Sequence, residues 1–138
     1  MFFGSGSKKR DRPLVLHIDD EVDILGFVGL AIREIGVDVE SASTAADGIR
    51  KAASEKPDLV ILDIMMPGTD GFDTCRAIKT KSPGTKVLMM SALAQMRDVE
   101  KALAQGADGY ITKPVSIQKL REKVREALNL PAPPPDNP

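Results

Sequence analysis

The chain has 138 residues, with 19 Lys or Arg against 20 Asp or Glu and a formal net charge of -1. That length suits one domain able to bury about two thirds of its unfolded surface without a metal or disulfide staple, and the near-balanced charge supplies no overall field for nucleic acid. The single Cys75 closes no intrachain disulfide, and no apolar run approaches the roughly 18 residues of a membrane span, so a soluble, cytoplasmic protein is expected.

Residues 1–12 combine Phe2-Phe3, a Gly-Ser stretch and the basic Lys8, Lys9, Arg10 and Arg12 without the apolar core of a signal peptide, and read as a flexible leader outside the fold. A first apolar run, LVLHI from Leu14, ends in Asp19-Asp20. A helical stripe follows, with Ile24, Phe27, Val28, Ala31, Ile32 and Ile35 on one face and Gly36 where a left-handed cap is wanted. A second strand starts near Val37, and a second helix runs from the cap candidates Ser43 and Thr44 to Glu55-Lys56, where Pro57 stops it. LVIL from Leu59 runs into Asp63, and a third helix opens at Asp70-Gly71 and ends before Pro83-Gly84.

KVLMM from Lys86 ends in Ser91. The fourth helix is expected to turn Met96, Val99 and Leu103 inward and Arg97, Glu100 and Lys101 outward, stopping at Gly106. GYIT from Gly109 leads into Lys113-Pro114, and a fifth helix starts at Ser116 and ends near Leu130-Pro131. Residues 129–138, rich in Pro, form a stiff extended tail.

Strands that read as continuous apolar runs belong to a parallel sheet covered by helices on both faces, so the predicted fold is doubly wound α/β. Right-handed crossovers make the order 2-1-3-4-5 the common choice for five strands, placing strand 1 beside strand 3. The chain reverses direction across the sheet at that point, and ligands bind in the crevice at the strand carboxyl ends. Asp19, Asp20 and Asp63 line it, and three clustered carboxylates repel one another unless a hard cation such as Mg2+ sits among them.

The pieces HIDDE (His17 to Glu21), LDIMMPGTDG (Leu62 to Gly71), MSA (Met90 to Ala92) and YITKP (Tyr110 to Pro114), in this order on this strand pattern, resemble the receiver domain of two-component response regulators over residues 13–128. The resemblance implies a phosphorylation-activated signalling domain rather than a classical enzyme. Asp63 would accept a phosphoryl group from a histidine kinase or histidine phosphotransfer domain. Mg2+ would be held by Asp19, Asp20, Asp63 and the backbone carbonyl of Met65. Lys113 and Ser91 would contact phosphoryl oxygens, a cis Lys113-Pro114 bond would aim the lysine inward, and Ser91 with Tyr110 would pass the change to the face of the fourth helix, fifth strand and fifth helix. A carboxylate nucleophile with neutralising charges around it is sound phosphoryl-transfer chemistry.

Other residues read differently. His17, inside an apolar strand, is expected to be a satisfied core histidine, Cys75 a buried packing residue beside Phe72 and Ile78, and Glu21 a first-turn helix acid. Leu25 and Leu30 fall outside the first helix's core stripe, near the acids, and could accept a phosphodonor helix. Met65 and Leu93 follow Asp63 and Ser91 by two residues and cannot orient an attacking water, which predicts slow dephosphorylation.

A flavin carrier on this fold would lead its first strand into a phosphate-cradling loop, and Asp19-Asp20-Glu21 repels phosphate. A hydrolytic phosphatase would want a second acid where Met65 stands. A phosphate-independent adaptor remains the alternative. No DNA-binding helix pair follows the fifth helix, so the chain reads as a stand-alone receiver or one from a longer chain, with no direct nucleic-acid contact or membrane insertion expected. The resemblance also implies an output protein as partner and leaves a phosphorylation-dependent dimer open.

Overall fold

The computed structural model describes residues 10–92 and 95–133. Most of the leader, Leu93 and the end of the tail lie outside the described residues. The elements alternate as β1 (Leu14–Ile18), α1 (Val22–Arg33), β2 (Asp38–Ala42), α2 (Ala45–Glu55), β3 (Leu59–Asp63), α3 (Gly71–Lys81), β4 (Lys86–Ser91), α4 (Met96–Ala104), β5 (Gly109–Thr112) and α5 (Ile117–Leu128). Five parallel strands pair in the order β2-β1-β3-β4-β5, as the sequence pattern predicts. Among the described residues no helix is long and apolar enough to cross a membrane.

Local chemistry sets the boundaries. Thr44, Asp70 and Ser116 cap α2, α3 and α5 by accepting from the backbone N–H of Asp47, Phe72 and Lys119. Each cap satisfies a donor that the first helical turn leaves unpaired. At the far ends Lys56 and Asn129 take left-handed conformations and Gly36 has φ +94°, so the chain turns back into the next segment. The edge strand β2 departs from the apolar pattern. Its sequence is DVESA, because half of an edge faces water.

Side-chain alternation divides the sheet's two faces. Leu16, Ile18, Val60, Leu62 and Met89 pack with Ala52, Cys75, Ile78 and Ala102 on one side. Val15, Leu59, Ile61, Leu88 and Met90 pack with Val28, Ile32, Leu120 and Val124 on the other. Burying each Leu, Ile or Val side chain contributes about 1.5–3 kcal/mol, so these two layers hold the sheet rigid beneath its carboxyl ends. On the second face Arg121 Nε also donates to the Ala31 carbonyl at 2.7 Å, tying α5 to α1. In the segments that enter β3 and β2, Arg10, in the last part of the leader, donates to the Lys56 carbonyl, and Arg12 to that of Gly36.

Two helix faces differ from the apolar stripes expected of them. In α4 Ala102 is fully buried and Val99 partly so, while Met96 and Leu103 stand 72% and 52% exposed. The small Ala102, rather than the larger apolar residues, lies against the body. The Lys101 ammonium sits 4.5 Å above the Phe72 ring, a second tie between α4 and α3. In α1 Phe27 is 46% exposed and Leu30 is exposed, whereas Leu25 is half-buried. Val28, Ala31 and Ile32 fill the available core space.

Gly71 opens α3 against the backbone of β3's exit loop: a Cβ there would lie 2.4 Å from Ile64 Cα. Gly71→Ala is expected to destabilise the fold by about 1–3 kcal/mol through overpacking. Gly84, with open space around it, is the control. Urea denaturation checks this, and equal midpoints for both Ala variants would refute the close-approach role of Gly71.

Candidate functional site

β1 and β3 are neighbours, with His17 beside Ile61 and Ile18 beside Leu62. The chain leaves β1 toward β2 on one side and enters β3 on the other, so the loops after these strands splay apart. Asp19 and Asp63, both buried, and the exposed Asp20 meet in the opening. One ligand oxygen from each of the three lies within 4.8 Å of the others.

Backbone bonds aim the two buried carboxylates. Asp19 Oδ1 accepts from the Glu21 N–H at 2.9 Å, and Asp63 Oδ1 accepts from the Met65 N–H at 2.9 Å. Each acid thereby fixes its own following turn. Their other oxygens converge on one cation: Lys113 Nζ donates to Asp19 Oδ2 at 3.3 Å and to Asp63 Oδ2 at 3.2 Å. Glu21 Oε1 lies 3.9 Å from the same ammonium, from the N-cap position of α1 rather than from its first turn.

The lysine's position comes from β5 and its exit. The Lys113 N–H donates to the Ser91 carbonyl at 2.7 Å, extending the β4–β5 pairing by one bond, and the Lys113–Pro114 peptide is cis. Ser91 is buried at the end of β4. Its side chain is hydrogen-bonded to Tyr110, whose phenol pKa is raised by burial and held back in part by that bond. Ser91 and Tyr110 thus touch, and Ser91 joins the pocket to β5.

The electrostatics are those of crowded acids. Burial raises the pKa of Asp19, with the Asp63 charge adding to it, while the Glu21 N–H and Lys113 oppose the rise. Burial alone would lower the Lys113 pKa, yet the charges of Asp63 and Asp19 outweigh it and the net shift is upward. The lysine is therefore a firm cation between two carboxylates. The donor set is all oxygen, and an exposed Asp20 leaves the opening accessible, so the residues fit a hard divalent cation such as Mg2+.

Of the sites named from sequence, Asp19, Asp20, Asp63 and Lys113 come together, and the Ser91 carbonyl accepts from the Lys113 N–H beside them. Met65, two residues after Asp63, is 56% exposed. Leu93 lies outside the described residues.

His17 overturns an expectation. It is fully buried, as predicted, but it is not satisfied: neither ring nitrogen has a hydrogen-bond partner, the sole such case among the buried side-chain polar atoms of the described residues. Each such unpaired group costs about 1–3 kcal/mol. Burial, followed by the nearby Lys113 charge, lowers its pKa to about 4 against an opposing pull from Asp63, so the ring is neutral at pH 7. Its Nε2 stands 3.8 Å from Asp19 Oδ2. Cys75, by contrast, is the packing residue expected, its thiol pushed up to about 11 by burial.

A family model described as the response regulator receiver domain matches residues 15–125. The chain is 34% identical over 114 residues to the alkaline phosphatase synthesis transcriptional regulatory protein PhoP of Bacillus subtilis (strain 168), covering 83% of this chain and 48% of that protein. It is 35% identical over 118 residues to the DNA-binding dual master transcriptional regulator RpaA of Synechocystis sp., covering 84% and 49%. It therefore spans about half the length of these curated relatives. The crystal structure of a CheY-like response regulator receiver domain protein from Methanospirillum hungatei JF-1 superposes with TM-score 0.82 at 32% identity, covering 86% of this chain and 95% of that one. The BeF3-activated DrrB receiver domain gives TM-score 0.78 at 30% identity, covering 86% and 98%. Pocket, strand order and sequence agree, and the chain belongs to the response regulator receiver domain family.

Proposed function

We propose that this domain is a phosphorylation-activated signalling switch in which Asp63 accepts a phosphoryl group from a phosphohistidine on a histidine kinase or histidine phosphotransfer protein. The observation that carries the reading is the single lysine shared between Asp63 and Asp19 beside a three-carboxylate cluster. An Asp63 carboxylate oxygen attacks phosphorus as the N–P bond breaks, and the bonding pair stays on the donor imidazole. Such a transfer needs alignment and charge neutralisation more than covalent help. Lys113 turns to a phosphoryl oxygen, and the Ser91 hydroxyl donates to another. Asp19, Asp20, Asp63 and the Met65 carbonyl would hold Mg2+, which supplies neutralisation of the phosphoryl charge when bound.

The donor's docking surface follows from the exposed apolar residues of α1. An open, mainly apolar groove of about 350 Å³, lined in part by Ile24, Phe27, Pro114 and Val115, adjoins Lys113. The exposed Phe27, Leu30 and Val22 extend it along α1. A helix carrying a phosphohistidine would lay its apolar side there and present the phosphoryl group to Asp63. Output would then pass from Ser91 through Tyr110 to α4, β5 and α5, whose outer side includes the exposed Met96, Leu103 and Ile117. The rival adaptor reading, a fixed surface that works without phosphate, gives the clustered carboxylates nothing to do.

Intact mass after incubation with acetyl phosphate and Mg2+ is expected to show one added phosphoryl group on the parent and none on Asp63→Asn or without the cation. An Asp63→Asn protein that is still modified in the same way would refute the acceptor, and no adduct or beryllofluoride binding in the parent would favour the adaptor. Phe27→Glu with Leu30→Glu is expected to slow transfer from a phosphorylated histidine phosphotransfer protein by about tenfold or more, as loss of a docking anchor does, and to leave acetyl phosphate labelling unchanged. Equal slowing with both donors would place the effect on the pocket. The phosphorylated parent should also decay more slowly than a Met65→Asn, Leu93→Glu variant. Equal or faster loss of phosphate by the parent would remove the proposed part of Met65 and Leu93.

A further inference from the structure

Building on the phosphoryl-transfer reading of the pocket, we propose that His17 is a positioning residue for Asp19: its Nε2–H takes over Asp19 Oδ2 when Lys113 turns from that oxygen to a phosphoryl group on Asp63.

Three observations meet at one oxygen. Asp19 Oδ1 is committed to the Glu21 N–H, so Oδ2 is the oxygen whose partners can change. Its partner now is Lys113 Nζ at 3.3 Å, and that same ammonium reaches Asp63 Oδ2 at 3.2 Å. A phosphoryl group on Asp63 draws the ammonium toward its own oxygens, and Asp19 Oδ2, buried at the end of β1, would lose its lysine donor. His17 Nε2 waits 3.8 Å from Oδ2, beyond hydrogen-bond length by less than an ångström of side-chain adjustment.

The remainder of the ring's surroundings offer it no hydrogen-bond partner. His17 shares β1's α1-facing side with Val15 and Asp19, and its register neighbours are Ser41 on β2 and Ile61 on β3. Neither ring nitrogen has a hydrogen-bond partner. An apolar residue would fill this place in the strand without stranding two polar atoms. A buried donor without a partner in one state of a two-state protein is explained if the other state supplies the partner. Carboxylates that hold a metal are themselves commonly oriented by a hydrogen bond from behind, and imidazole N–H to carboxylate is one such pair.

The test compares the full chain with His17→Gln and His17→Leu, using Mg2+ with beryllofluoride as the phosphoryl mimic. In the parent, ¹⁵N NMR of the ring is expected to show a protonated Nε2 whose signal shifts to that of a hydrogen-bonded N–H when Mg2+ and beryllofluoride are added. His17→Leu should bind the pair about tenfold more weakly, with His17→Gln recovering part of the loss, while both variants unfold cooperatively in the absence of ligand. An Nε2 signal unchanged by Mg2+ and beryllofluoride, or equal affinity in the parent and His17→Leu, would overturn the assignment and leave the pocket reading intact. A parent that binds no beryllofluoride overturns both. Should His17→Leu fail to fold, the parent's ring signal decides alone.

Discussion

The structure turns on one electrostatic constraint: two buried carboxylates at neighbouring strand ends must share a neutralising partner. Asp19 and Asp63 are placed side by side by the β1–β3 pairing, and their free oxygens lie on the same ammonium. Without Lys113 each would be a buried charge facing a like charge, an arrangement that costs several kcal/mol per ion. The bond from the Lys113 N–H to the Ser91 carbonyl fixes the lysine's backbone beside the acids. The geometry of β4, β5 and their loops is therefore linked to whatever charge occupies the acid cluster.

Most of the architecture was legible from the chain, for a physical reason. Buried parallel strands have little room for polar residues, so LVLHI, LVIL and KVLMM stand out, and turn chemistry at Gly36, Pro57, Asp70 and Ser116 punctuates the helices. The site was legible because a doubly wound sheet brings the ends of β1 and β3 together whatever the loops do. The misreadings concern side chains whose placement depends on tertiary packing. A stripe at helical spacing shows that α4 has an apolar side, but not that Ala102 will be the residue pressed inward while Met96 and Leu103 face water. The spacing of Phe27 fits the core stripe of α1, but Val28, Ala31 and Ile32 already occupy that layer and Phe27 is left half exposed. His17 was readable as buried, since a strand flanked by apolar residues buries everything on it. Its lack of partners was not, because that depends on where Lys113 and Asp19 point.

The α1–α5 layer and α4 are held with very different strength, and this bears on how a phosphoryl group would act. α1 and α5 bury Val28, Ile32, Leu120 and Val124 against the sheet and are joined through Arg121 and the Ala31 carbonyl. Several buried aliphatic side chains at about 1.5–3 kcal/mol each make that layer expensive to displace. α4 has one fully buried side chain, that of Ala102, and the cation–π contact of Lys101 with Phe72. A contact of that kind contributes about 0.5–1 kcal/mol at an exposed site.

A hydrogen bond to a charged group contributes about 1.5–3 kcal/mol, so a phosphoryl group drawing in Lys113 and Ser91 would gain more than α4's ties cost to rearrange, but less than the α1–α5 layer would demand. The pull is also directional. Ser91 ends β4, immediately before the segment leading to α4, and its side chain meets Tyr110 on β5. Lys113 is bonded through its own N–H to the Ser91 carbonyl, so both phosphoryl contacts draw on the β4–β5 edge rather than on the centre of the sheet. On the proposed function, input and output are separated by stiffness. The firmly packed α1 offers a donor protein an unchanging surface beside the pocket, and the lightly held α4 is where the same pocket can change the molecule's outline.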